Sequence, residues 1–378
     1  MRNVVIAAYA RSPFTLARKG ALAKVRPDDL TAQVVKAMIE RSGIDPKVIE
    51  DVIVGCATPE GEQGINVARL ISFLAGIPLE AAATTVNRFC GSSMQSIHQA
   101  AGAIQMNAGE AFICAGVESM SRVPMGGFNI LPNPQLAKNY PAAYVSMGIT
   151  AENLAKKYSI SRAEQEAMAL DSQKKAAAAQ KAGKFKAEII PIVDGNARVE
   201  DDGCIRADTT LEGLAGLQPA FDQAGTVTAG TSSPLTDGAS ATLVCSEDFA
   251  KANGLKPLAR IRAVAVAGCA PEIMGIGPVP ATEKALKRAG LSLKDIDVIE
   301  LNEAFASQAL ACVKQAGYDM AKVNLDGGAI ALGHPMGATG ARITGKAAAL
   351  LQREGKQFAL ATQCIGGGQG IATILEAV

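Results

Sequence analysis

Asn87-Arg88-Phe89-Cys90-Gly91-Ser92-Ser93-Met94-Gln95-Ser96 sets one thiol between two kinds of periodicity. The preceding Ala83-Thr84-Thr85-Val86 is short and β-branched, as a strand is, and Met94, Ile97, Ala101 and Ile104 follow at helical spacing. The cysteine therefore stands at a strand-to-helix turn. A helix N-terminus offers unpaired N–H groups and the positive end of the helix dipole, both of which favour a thiolate. The competing reading of this stretch alone is a buried structural cysteine, because free Cys is among the most buried residue types. The rest of the chain separates the two.

Outward from this turn, strand and helix patterns alternate. Residues 4–8, 51–56 and 111–116 are short apolar strand candidates. Pro27-Asp28-Asp29-Leu30 opens a helix that Gly43 ends, and 66–74 is helical. This grammar predicts an α/β architecture. The last third of the chain repeats it. Gly43-Ile44-Asp45 and Asp51-Val52-Ile53 resemble Gly290-Leu291-Ser292 and Asp297-Val298-Ile299, while Gly109-Glu110-Ala111-Phe112 resembles Gly355-Lys356-Gln357-Phe358. Asp51 to Asp297 and Gly109 to Gly355 are the same step of 246 residues. Two blocks sharing one step indicate a duplicated domain.

The same step carries Cys90 to Met336, inside Leu332-Gly333-His334-Pro335-Met336-Gly337-Ala338-Thr339. The turn that holds a thiol in the first half thus holds a histidine in the second, and halves related by a pseudo-twofold would bring the two turns together. His334 is read as catalytic over a structural histidine beside a proline turn; His98 is read as packing or surface. Residues 119–237 have no counterpart in either half. They hold a capping box, Ser161 with Glu164, before a long Ala/Lys/Gln helix whose lysines form a solvated face. The expected division is 1–118 with 238–260 as the first half, 119–237 as an inserted cap, and 261–378 as the second half.

Composition excludes several classes. Lys+Arg 37 against Asp+Glu 36 leaves a net charge of +1, so no whole-molecule field draws nucleic acid or an anionic membrane. Eight cysteines are scattered with no C-x-x-C, the pattern of reduced thiols, and the expected location is cytoplasmic. Two histidines in 378 residues argue against a zinc site built on several histidines. No apolar run approaches the roughly 18 residues a membrane span needs.

A second thiol lies in Thr362-Gln363-Cys364-Ile365-Gly366-Gly367-Gly368-Gln369-Gly370, read as a loop after the apolar strand Phe358-Ala359-Leu360-Ala361. Glycines after a thiol leave N–H groups open to a substrate oxygen. Together with Gly225-Thr226-Val227-Thr228-Ala229-Gly230, Met274-Gly275-Ile276-Gly277-Pro278 and Asn302-Glu303-Ala304-Phe305, these motifs, in this order over the whole chain, resemble the thiolase family. The resemblance implies a thiolase fold: an α/β, duplicated five-layered αβαβα core with an inserted loop or cap domain.

It also implies a chemistry. Cys90 would be the acyl-accepting nucleophile, His334 its base, and Cys364 the acid that protonates the departing acetyl-CoA enolate. His334 and a water held by Asn302 would stabilise that enolate, and the N–H groups of Cys90 and Gly366 would hold the tetrahedral intermediate. Ala229 and Ser233 match the pantetheine channel, Arg206 the nucleotide end, and Met147, Met274, Ala304 and Phe305 the acyl pocket. Coenzyme A enters as substrate, with no tightly bound cofactor and no metal. Ser146-Met147-Gly148 lacks the histidine that many biosynthetic members carry before Met-Gly. The wording around Cys90 and Thr228-Ala229-Gly230-Thr231-Ser232-Ser233 is closer to the degradative 3-ketoacyl-CoA thiolases, such as the thiolase subunit of the bacterial fatty-acid oxidation complex. The expectation is ping-pong thiolysis of 3-oxoacyl-CoA in β-oxidation, by a homodimer able to dock on a hydratase/dehydrogenase subunit. The alternatives are a biosynthetic acetoacetyl-CoA thiolase and, outside catalysis, a thiolase-like lipid-binding or structural subunit.

Overall fold

A computed structural model describes residues 2–378. Its principal strands are β1 (Val4–Arg11), β2 (Asp51–Cys56), β3 (Ala82–Val86), β4 (Ala111–Ser119), β5 (Thr236–Ser246), β6 (Ala259–Gly268), β7 (Val298–Leu301), β8 (Phe358–Ile365) and β9 (Gln369–Glu376). The helices that matter for the site are α1 (Pro27–Ser42), α2 (Val67–Leu74), α3 (Ser92–Gln105), α4 (Met147–Lys157), α5 (Arg162–Lys181), α6 (Pro278–Ala289), α7 (Ala306–Ala316) and α8 (Met336–Glu354).

The strand order is β3-β2-β4-β5-β1 in one half and β7-β8-β9-β6 in the other. A parallel bridge from Ile299 to Val323 supplies the position that β3 fills in the first half. The two orders are the same, and so is the register: Val52 opposes Ile113 on β4, and Val298 opposes Ala359 on β8. Both pairs carry the 246-residue step. The halves join where β1 meets β6 through Val5–Arg260 and Ile6–Ala259. Beyond those pairs the sheets diverge, and α3 and α8 fill the space between them. Helices α1 and α2 cover the outer face of the first sheet, α6 and α7 that of the second. This is the duplicated five-layered arrangement.

Strands β4 and β5 are buried along their whole length, and the polar residues they carry, Glu118, Ser240 and Thr242 among them, are hydrogen-bonded inside the core. Small residues let the middle layer approach closely. A Cβ added at Gly337 would lie 2.3 Å from the Val117 carbonyl oxygen, so only glycine admits α8 to β4 here. The strand expected over 4–8 runs on to Arg11, because β5 pairs with it through Ser240.

Between β4 and β5 the chain leaves the core. Helix α5 begins at the capping box, with the Ser161 side chain accepting from Glu164 N–H and Glu164 accepting from Ser161 N–H at 2.7 Å. Leu154, Ile160, Met168 and Ala169 from this segment bury against the α6–α7 layer. Lys174, Lys181, Lys184 and Lys186 face solvent. No helix among the described residues is long and apolar enough to cross a membrane.

Candidate active site

The β3–α3 turn is built by its own side chains. Asn87 Oδ1 accepts the Phe89 N–H at 2.8 Å, and Ser92 Oγ accepts from Arg88 N–H at 2.9 Å while donating to the Phe89 carbonyl at 2.6 Å. These bonds hold Phe89 at φ +43°, a strained value for a side chain of that size. Cys90 follows at the sharpest point of the bend, 8 % exposed. Arg88 donates to Gln95 at 2.9 Å and across to Gln369 at 2.8 Å, pinning the turn to the second half.

In that half, Gly333 (φ +99°) turns the chain so that His334 stands just before α8. Its backbone N–H donates to Thr236 Oγ1 at 3.0 Å, and its ring is fixed at both nitrogens. Thr339 Oγ1 lies 2.6 Å from Nδ1, and its own hydroxyl proton goes to the Pro335 carbonyl at 3.2 Å. Thr339 is therefore the acceptor and Nδ1 carries the ring proton. That leaves a lone pair on Nε2, toward which Asn302 Nδ2 points at 3.4 Å. Asn302 Oδ1 is buried and, among the described residues, without a hydrogen-bond partner.

The stretch expected as a loop over 362–370 is largely strand. Cys364 is a residue of β8, pairing with Gly370 of β9, and the turn shrinks to Gly366-Gly367-Gly368. Edge-to-edge pairing satisfies the backbone of 362–365, which a loop would leave buried and unpaired. Gly367 and Gly368 take φ +79° and +86° to close the hairpin, and the Gly366 N–H is left directed at the Cys90 sulfur. Gln363 donates to the Cys90 carbonyl from the same strand.

Cys90, His334 and Cys364 open on one cavity of about 480 Å³. Burial pushes the Cys90 thiol up to about 11, against the pull of the Gly366 and Cys90 N–H groups. This corrects the expectation of a thiolate favoured by the helix N-terminus: desolvation outweighs the turn's N–H groups, so Cys90 rests as a thiol. Burial, with Arg342 adding to it, brings His334 down to about 4, so its imidazole is neutral at physiological pH. Burial and the neighbouring Cys90 sulfur hold the Cys364 thiol well above its ordinary value. A neutral acceptor that shares one cavity with two protonated thiols is an arrangement for moving protons. Among the described residues no group of three or more His, Cys, Asp or Glu is placed to hold a metal ion.

The sequence profile "Thiolase, N-terminal domain" matches residues 4–248, and "Thiolase, C-terminal domain" matches 255–377. The chain belongs to the thiolase family. It is 48% identical to a 3-ketoacyl-CoA thiolase of Bacillus subtilis (strain 168) and 52% identical to one of Vibrio cholerae, with 100% of each chain covered in both cases. Human mitochondrial 3-ketoacyl-CoA thiolase in complex with CoA superposes with a TM-score of 0.93 at 42% identity, over 100% of this chain and 98% of that one.

Of the positions that the thiolase resemblance singles out, Met147, Met274, Ala304 and Phe305 line the same cavity as the two thiols. Arg206, Ala229 and Ser233 line it as well, with Ser233 Oγ donating to the Ala304 carbonyl at 3.1 Å. Asn302 sits behind His334, and Gly366 meets Cys90 through its backbone. Sequence reading missed Thr339 and Thr236, which fix the His334 ring and backbone. It also missed Phe221, edge-on to Phe305 with centroids 5.8 Å apart, and Met120, Met125 and Met336 on the wall. Thr339 had a usable signal, since it stands five residues past His334 in the motif itself. The methionines had none, because methionine in a core and methionine on a pocket wall look alike in sequence.

Proposed function

We propose that this chain is a 3-ketoacyl-CoA thiolase, an acetyl-CoA C-acyltransferase of fatty-acid β-oxidation that cleaves 3-oxoacyl-CoA with CoA. The reading is carried by one observation: two thiols and a neutral histidine share a cavity, with a backbone N–H aimed at the first sulfur. In the proposed cycle, His334 Nε2 takes the Cys90 proton and the sulfur attacks the C3 ketone. The N–H groups of Cys90 and Gly366 carry the resulting oxyanion. The C2–C3 bond then breaks, the acyl group stays on Cys90, and Cys364 protonates C2 of the leaving acetyl-CoA enolate. His334 and a water held by Asn302 stabilise that enolate. A second CoA loses its thiol proton to the Cys364 thiolate, attacks the acyl-Cys90 thioester and frees the Cys90 sulfur, which recovers its proton from His334. The kinetics are ping-pong.

Substrates longer than four carbons are favoured by the wall itself. Met120, Met125, Met147, Met274 and Met336 are unbranched and adapt to a variable apolar tail. Arg206 at the cavity supports the nucleotide end of CoA. The finer reading includes a cytoplasmic homodimer, able to dock on a hydratase/dehydrogenase subunit. A dimer is supported by β3, an edge strand with exposed residues, close to exposed Phe73, Leu74 and Leu79. Thiolysis rates across four- to sixteen-carbon 3-oxoacyl-CoAs test the activity; a sharp preference for four carbons would overturn the degradative reading. Light scattering tests the assembly, and a stable tetramer contradicts it.

A further inference from the structure

Glu118 takes no part in the chemistry above, yet its carboxylate is 1% exposed at the seam between the two halves. Oε2 accepts the N–H groups of Ala57 and Gly337, each at 2.9 Å. Oε1 accepts the Thr58 N–H at 3.2 Å and Gln63 Nε2 at 2.9 Å. Four donors around two oxygens describe an ionised carboxylate, since a protonated one would have to donate. Gly337 lies in the first turn of α8, which has no side-chain cap of its own. Glu118 therefore supplies, from the other half, the negative charge that a helix N-terminus favours.

Both ends of this contact lead to the site. Gly337 is three residues past His334. On the other side, the Ala57 carbonyl accepts from Asn87 Nδ2 at 3.1 Å, and Asn87 Oδ1 accepts the N–H of Phe89, the residue before Cys90. One chain of bonds thus runs from the Cys90 turn through Asn87, Ala57, Glu118 and Gly337 to the His334 turn. No side chain cushions the seam, because a Cβ on Gly337 would collide with the Val117 and Gly55 carbonyl oxygens at 2.3 and 2.8 Å. A shift in these bonds is therefore passed on from backbone to backbone.

The geometry points to Glu118 as a positioning residue that sets the register of Cys90 against His334 across the half-domain seam. This rests on the roles proposed for Cys90 and His334, and it is tested by Glu118→Gln in the full-length protein. The amide is isosteric, but its NH₂ must face two of the four N–H donors. Thiolysis kinetics and the pH dependence of Cys90 alkylation by iodoacetamide are the readouts. The expected result is a kcat lower by roughly 10- to 100-fold, the scale on which misplacement by about 1 Å acts, with KM for CoA within about 2-fold. The alkylation midpoint should also move to lower pH, because a negative charge near the thiol has been removed. A general loosening of the fold would not produce that pair of changes. Asn87→Ala cuts the same chain at its other end without touching the charge, and should show the kcat loss alone; it decides the matter if Glu118→Gln does not fold. A kcat within about 2-fold of the parent in the folded variant, or a kcat loss matched by a rise in KM, overturns the proposal. A parent protein without thiolysis activity would instead overturn the thiolase reading.

Discussion

Thr339→Val is the most direct probe of how His334 is set. The substitution keeps the shape of the side chain and removes one hydroxyl, the group that accepts the Nδ1 proton at 2.6 Å. His334 is 6% exposed, so no bulk water replaces the lost acceptor. An unpaired buried donor costs about 1–3 kcal/mol. The imidazole can avoid that cost by moving its proton to Nε2, but it then loses the lone pair that the proposed base needs. Either route raises the barrier to acylation, and 1–3 kcal/mol corresponds to roughly 5- to 150-fold in rate. Rapid-quench measurement of acyl-Cys90 formation from a 3-oxoacyl-CoA isolates this step. Thr339→Ser keeps the acceptor and should stay within a few-fold of the parent. Acylation at the parental rate in folded Thr339→Val would refute the reasoning, because the tautomer would then be set by something other than Thr339.

Replacing Cys90 with Ala should abolish the covalent acyl-enzyme seen by mass spectrometry; a persisting adduct would move the nucleophile elsewhere. Cys364→Ser should still acylate from a simple acyl-CoA but lose most hydrogen exchange at the acetyl methyl of acetyl-CoA. Unchanged exchange would remove Cys364 from its proposed acid/base role. Stability should fall with acid. His334 is held at about 4 in the fold against 6.5 when free, so below about pH 6.5 the unfolded chain binds the proton first. The contribution is fully present above about 6.5 and is lost as pH falls through 4, a change of roughly 3 kcal/mol. Melting temperature against pH should therefore slope more steeply between 6.5 and 4 in the parent than in His334→Asn, and equal slopes would contradict the buried neutral imidazole.

Much of this was legible in the chain because it is written as local pattern or as repetition. The strand-to-helix turn at Cys90 follows from a change of hydrophobic period over a few residues. The partnership of that turn with the His334 turn follows from a single 246-residue step, and the same step reappears as the β2–β4 and β7–β8 registers. Position 364 was legible as a thiol before glycines, although its place in a strand was not. Pairing between β8 and β9 decided that, and such pairing depends on which backbone groups are buried.

Protonation was beyond the sequence for the same kind of reason. The turn at Cys90 argues for a thiolate by its local dipole, whereas its burial among segments from both halves of the chain keeps it a thiol. Thr236 against His334, Phe221 against Phe305, and Glu118 against Gly337 are contacts between residues about 80 to 220 positions apart. The sequence by itself determined the duplication, the two turns and the chemical identity of the groups they carry. Tertiary structure alone decided their charge states, their orientation and the wall around them, because desolvation and long-range contact arise only when the two sheets close on α3 and α8.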